Sequence, residues 1–111
     1  MVTETTRNHS VFGAVADPTR RAILDLLRRG DMSAGEIAHR FPVSRPAVSR
    51  HLRVLRKAGL LSQSRDAQSR RYALNAAPLR EVDRWLNAYR VFWGARLHDL
   101  KRYVEEQERQ R

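Results

Sequence analysis

The stretch SRPAVSRHLRVLRKAG, residues 44–59, sorts into two chemically different sides when wound as a helix. Side chains three and four positions apart share a face, so Val48, Leu52 and Leu55 form an apolar side while Ser49, Arg50, Arg53, Arg56 and Lys57 form a basic one. Ser44 can cap the free amides of the first turn, Pro46 sits where no intrahelical donor is needed, and Gly59 ends the run. A helix is therefore expected over about 44–58, packed through one side and offering cations and a short hydroxyl on the other. Phosphate oxygens and the acceptors on base edges in the major groove are chemical complements to that outer side.

The charge balance agrees with this placement. The 111 residues carry a formal net charge of +10, and residues 44–73 hold eight Arg or Lys against one acid, Asp66. Such an excess in a small protein points to a polyanionic partner. The length suits one small domain, expected over residues 11–108 behind a flexible tail of residues 1–10 in which Arg7 can add a phosphate contact. With no cysteine, disulfides and thiolate metal sites are excluded. No apolar run reaches the roughly 18 residues of a membrane span, and the polar start MVTETTRNHS has no signal-peptide core, so a cytoplasmic location with no membrane partner is expected.

Outward from the basic helix, the chain reads as follows. Val11, Phe12, Val15 and Ala16 make a short apolar turn, and Asp17-Pro18 starts a helix whose stripe is Ala22, Ile23, Leu26 and Leu27, ending near Gly30. Ser33-Ala34-Gly35-Glu36 is a capping box for a short helix to Phe41. Joined to the basic helix through Pro42-Val43, this makes a helix-turn-helix whose second member enters the major groove. Residues 61–74 read as a two-stranded hairpin turning at 66–69, without the usual turn glycine, and Arg65, Arg70 and Arg71 lie near its tip. A basic hairpin in that position is a wing that can reach phosphates.

From Pro78 to about Glu108 the pattern is helical, roughly 45 Å long, with Leu79, Val82, Leu86, Tyr89, Trp93, Leu97, Leu100 and Val104 at spacings of three or four. Such a seam is more than this small domain can cover, so pairing with a second copy is expected. Trp85, Tyr89, Phe92 and Trp93 can serve as dimer core or line a small-molecule pocket. The fold class expected is mainly α with a small β-hairpin: a winged helix-turn-helix domain with a long C-terminal dimerisation helix.

The order of ADPTRRAILDLL at 16–27, SAGEIAHRFPVSRPAVSRHLRVLRKAGLL at 33–61 and RRYAL at 70–74 resembles the ArsR/SmtB family of winged-helix repressors. The ending LREVDRWLNAYRVFWGARLHDLKRYV looks like its metal-independent, SdpR-like branch. The resemblance implies a homodimer, joined through terminal helices, that binds a palindromic DNA operator and blocks transcription. It implies that Ser44, Arg45, Pro46, Ser49, Arg50 and His51 face DNA. The helical wheel adds Arg53, and Arg65, Arg70 and Arg71 are expected to hold phosphates. His51 lies beside the apolar Leu52 and can equally be a structural group at the core rim.

Many members of the family respond to metals. The helix from Ser33 here lacks cysteine, His98 stands without ligand neighbours on its helix, and His9, His39 and His51 lie on separate elements, so neither a metal nor another cofactor is expected. The sequence names no small-molecule effector. It also shows no Gly-rich phosphate loop and no catalytic Ser/His/Asp spacing, so an enzyme is not expected. Two other readings use the same basic face: a low-specificity nucleoid-type or RNA-binding protein, and a winged-helix module that binds an acidic protein.

Overall fold

The computed structural model describes residues 9–110; of the expected tail, residues 1–8, including Arg7, lie outside the described residues, while His9 and Ser10 fall in the first turn. After a π-helical turn at His9–Gly13 come helix α1 (Pro18–Leu27), strand β1 (Met32–Ser33), helices α2 (Ala34–His39) and α3 (Arg45–Lys57), strands β2 (Leu61–Asp66) and β3 (Ser69–Leu74), a 3-10 turn (Ala77–Leu79) and helix α4 (Arg80–Arg109). Residues up to Arg80 form one compact unit and the helix from Glu81 onward a second.

Side-chain capping sets the starts of all three short helices. Asp17 accepts the Arg20 amide at 3.0 Å, and Pro18 opens α1. Ser33 and Glu36 exchange the two bonds of a capping box, each 3.1 Å. Ser44 accepts the Ala47 amide at 3.2 Å. Each bond satisfies a first-turn donor that has no partner inside its own helix.

The three helices close over one core. Ile23, Leu24 and Leu27 of α1, Ile37 of α2, Val48, Leu52 and Leu55 of α3, and Leu60, Leu61 and Tyr72 of the wing are all buried. The stripe of α1 is thus centred on Leu24 rather than Leu26, which is only partly buried.

The end of α3 is a Schellman turn. Gly59 sits at φ 80°, its amide donates to the Arg56 carbonyl at 2.9 Å, and the Leu60 amide donates to the Leu55 carbonyl at 3.0 Å. This turn aims the chain into β2. Asn75 then ties the far end of β3 back to it, its side-chain amide donating to the Gly59 carbonyl at 2.9 Å and its backbone amide to the Leu60 carbonyl at 2.8 Å.

The sheet has three strands in the order β1-β3-β2, not the two of a lone hairpin. Met32 and Ser33 pair with Tyr72 and Arg71, so the segment before α2 borders the inner strand of the wing. The turn between β2 and β3 is two residues long, and Ala67 takes the left-handed conformation, φ 56°, that a glycine would adopt without strain.

Leu79, expected at the head of the C-terminal seam, instead lies on the 3-10 turn and packs against the core. Helix α4 spans 30 residues and buries none of them. Trp85, Tyr89, Phe92, Trp93, Leu97, Leu100, Tyr103 and Val104 are all exposed along it, and the Trp85 and Tyr89 rings meet edge to face at 5.2 Å.

Candidate nucleic-acid interface

Because Val48, Leu52 and Leu55 turn α3 into the core, the opposite side of the helix must face outward. Arg45, Pro46, Ser49, Arg50, Arg53, Val54, Arg56 and Lys57 are exposed there. The side chains of Arg45, Arg50, Arg53 and Lys57 form no hydrogen bond or ion pair with any other described residue. A helix face holding several cations and no carboxylate gains most from an anionic surface laid against it. Ser44 stands at the start of that face. Its oxygen is taken by the cap, which leaves its O–H free to donate.

The wing continues the basic surface. Arg65 and Arg70 are direct cross-strand partners, both exposed, and neither has a carboxylate partner among the described residues. Like charges held opposite one another destabilise a hairpin, a cost that an anion lying between them removes. An open hollow of about 600 Å³ is lined by Arg56, Gln63, Ser64, Arg65 and Arg70. Arg56 donates to the Gln63 side chain across it, linking the last turn of α3 to the wing. Arg56 was legible as part of a basic face. Its place beside the wing was not, since it depends on how the hairpin folds back after Gly59.

Two residues expected at this surface are committed elsewhere. Arg71 pairs with Ser64 in the register, one step from the Arg65–Arg70 pair, so its side chain leaves the opposite face of the sheet. There it donates to the Asp31 carbonyl at 3.1 Å and lies 3.6 Å from the Glu36 carboxylate, bracing the wing against the start of α2. His51 lies on the flank of α3 toward α1, with Nδ1 3.2 Å from an Arg20 nitrogen and 4.0 Å from the Asp17 carboxylate. It sits half-buried there, at the rim of the core. Ser44, Arg45, Pro46, Ser49, Arg50, Arg53, Arg65 and Arg70 are all exposed, the last two beside Arg56 at the end of α3.

The two carboxylates bordering this frame are shifted toward the ionised form. The amide of Arg20, followed by the nearby Arg20 charge, holds Asp17 below the usual carboxylate range. The amide and hydroxyl of Ser33, then the Arg71 and Arg40 charges, do the same for Glu36. Among the described residues no three His, Cys, Asp or Glu side chains converge as a metal site, and no helix is long and apolar enough to cross a membrane.

The family described as bacterial regulatory protein, arsR family, matches residues 17–63, the stretch from the cap of α1 into the wing. Over 78 residues the chain is 46% identical to the transcriptional repressor SdpR of Bacillus subtilis, covering 70% of this chain and 87% of that protein. This chain belongs to the ArsR family. A second relative, the HTH-type transcriptional regulator Rv2034 of Mycobacterium tuberculosis, is 45% identical over 80 residues, covering 68% of this chain and 75% of its own length. The solved ArsR-like transcriptional regulator from Rhodococcus sp. RHA1 is 36% identical with a TM-score of 0.66, over 90% of this chain and 94% of that one. The chain is therefore a DNA-binding transcriptional regulator of a family that is not enzymatic, and its winged-helix architecture is that of its solved relatives.

Proposed function

We propose that the chain acts as a homodimeric repressor that reads a palindromic operator through α3 and holds its backbone through the wing. The observation that carries this reading is the exposed, uncompensated cationic face of α3, continued by the facing Arg65 and Arg70. Arg50 lies near the middle of that face, where its planar fork suits the paired acceptors of guanine. Ser49 can adapt to several base edges, Pro46 can meet a thymine methyl, and Arg53 extends the face along the groove. Ser44, Arg45, Arg65 and Arg70 fix the register on phosphates.

Dimerisation is supported by the stripe of α4, in which the half-buried Val82 and Leu86 lead into the exposed Tyr89, Trp93, Leu97 and Leu100 at the spacing of a helix pair. Two copies related by a two-fold axis would present recognition helices roughly 34 Å apart, one turn of duplex, which is why a palindrome is the matching target. Repression as the direction of the effect rests on the likeness to SdpR. The Trp85, Tyr89, Phe92 and Trp93 cluster is assigned to the dimer seam, and the site of action is the cytoplasm.

Selection of genomic fragments by purified protein tests this. A single palindromic motif is expected with wild type, and its loss with Arg50→Ala. Fragments recovered without a motif would replace this reading with the low-specificity nucleoid-type one.

A further inference from the structure

Among the described arginines Arg20 is the most heavily engaged. Its Nε donates to the Ala14 carbonyl at 2.8 Å, one terminal nitrogen donates to the Gly13 carbonyl at 3.0 Å, and the other lies 3.2 Å from His51 Nδ1. All three guanidinium nitrogens are thus used, two on backbone preceding α1 and one on the middle of the recognition helix. A guanidinium only donates, so His51 Nδ1 must be the acceptor, which places the imidazole proton on Nε2. Asp17, whose carboxylate caps α1 through the Arg20 amide, lies 4.0 Å from the same imidazole nitrogen.

We propose that Arg20 is a positioning residue for DNA recognition: acting through His51 Nδ1, it sets the rotation of the recognition helix about its own axis. The inference rests on the reading of α3 as the base-reading helix. The reason for such a device lies in the rest of the packing of α3. Val48, Leu52 and Leu55 hold the helix by apolar burial, which is strong but non-directional and tolerates a roll. A hydrogen bond to the flank of the helix, anchored at its other end on two carbonyls, is directional and resists one. Side chains that read bases need their geometry held to roughly 10–20°, and Arg50 is the next residue along from His51.

The link also redefines His51. A histidine that touches DNA would work through an outward N–H. Here the bond observed is the inward one at Nδ1. The two roles separate by substitution, because Asn places a side-chain acceptor near the position of Nδ1 whereas Gln places its amide near that of Nε2.

The probe is a duplex recovered by in vitro selection with the wild-type protein, measured beside an unrelated duplex of equal length and with thermal midpoints for every variant. His51→Asn should keep operator affinity within ~3-fold. His51→Gln and Arg20→Gln should each weaken it ~10-fold, as expected for one charge-assisted bond. Affinity for the unrelated duplex should hold, so that discrimination falls rather than binding in general. Arg20→Lys, which keeps the charge but cannot span two carbonyls and an imidazole, should behave like Arg20→Gln and serves if that variant fails to fold.

The opposite pattern, Gln tolerated and Asn not, overturns the proposal and gives His51 a direct contact through Nε2. Equal effects of Asn and Gln overturn it, as does unchanged discrimination in both Arg20 variants. Arg50→Ala in the same assay separates this proposal from the one beneath it: if that variant binds the operator like wild type, the recognition-helix reading itself has failed.

Discussion

In α3 Leu52 is 2% exposed, whereas in α4 Leu97 is 66% and Leu100 59% exposed, although both helices repeat large apolar residues every three or four positions. The same sequence pattern has two outcomes because the two stripes meet different amounts of chain. Alpha3 is enclosed by α1, α2 and the wing, which supply Ile23, Leu27, Ile37, Leu60 and Leu61 as neighbours in one cluster. Alpha4 has no residue that is fully buried. The first stripe is completed within the chain; the second is left open, and that open apolar stretch is the ground for the proposed dimer seam.

The sharpest way to break this contrast is to change both stripes. Leu52→Ala should cost about 2–5 kcal/mol of folding stability, as large-to-small changes in an enclosed core do, read by urea denaturation. Leu97→Glu should leave the fold in place but raise the dimer dissociation constant at least ~100-fold, since an unpaired carboxylate would enter an apolar seam. Sedimentation across a concentration series measures it. If Leu97→Glu associates as wild type does, the exposed stripe is not the dimer contact.

A second, smaller contrast runs between arginines. Arg50, without a partner among the described residues, should report on DNA alone. Arg50→Ala is expected to cost about 1–3 kcal/mol against the preferred base while leaving the melting temperature within a degree or two. On the wing, Arg65→Ala and Arg70→Ala should each lower the slope of log affinity against log salt by about 1. Arg71→Ala should leave that slope unchanged and lower stability instead, because its partners are Asp31 and Glu36. Titration of operator binding from low to moderate salt distinguishes the two classes.

These arginines also mark the limit of what the sequence could reveal. The caps at Asp17, Ser33 and Ser44, the apolar side of α3 and the extent of the wing are all local patterns, each decided within a few residues by hydrogen-bonding geometry and periodicity. Strand β1 was invisible, since two residues cannot show an alternation, and it exists only because β3 offers it an edge. Arg71 looked like a third wing-tip cation; the register places it on the other face of the sheet, and a one-residue difference in strand position reverses which way a side chain points. His51 was ambiguous because its partner Arg20 lies 31 positions earlier. The residues whose contacts could not be read locally are those whose partners lie distant in sequence.

Acid should act on the frame of the domain before its core. Asp17 and Glu36 are both held below the usual carboxylate range, so each contributes stability that is fully present above that range, about pH 4, and is lost as pH falls through its lowered folded-state value. The melting temperature should therefore fall in that acidic window and be nearly flat above it. Asp17→Asn, which can still accept at the helix cap, should flatten part of that acid limb. An unchanged profile in Asp17→Asn would show that its carboxylate charge contributes nothing to the frame.

The smallest effect concerns the tip of the wing, where Ala67 holds φ 56°. A residue with a Cβ is strained in this conformation by roughly 1 kcal/mol or more, and Ala67→Gly would relieve that strain while giving the unfolded chain more freedom to lose, a cost of about 0.4–1 kcal/mol. The two terms nearly cancel, so glycine should change stability by no more than about 0.5 kcal/mol. Ala67→Asn separates them. Asparagine tolerates left-handed φ without the entropy cost of glycine, so it should stabilise the hairpin more than glycine does. Arg65 and Arg70 face each other two residues outside this turn, and their repulsion opposes hairpin closure in the free protein. Asn in place of Ala67 should thus raise the melting temperature most at low salt, where that repulsion is least screened. If the gain is the same at every salt concentration, the turn and the arginine pair are energetically independent, and the wing is no stiffer for having its cations paired with phosphate.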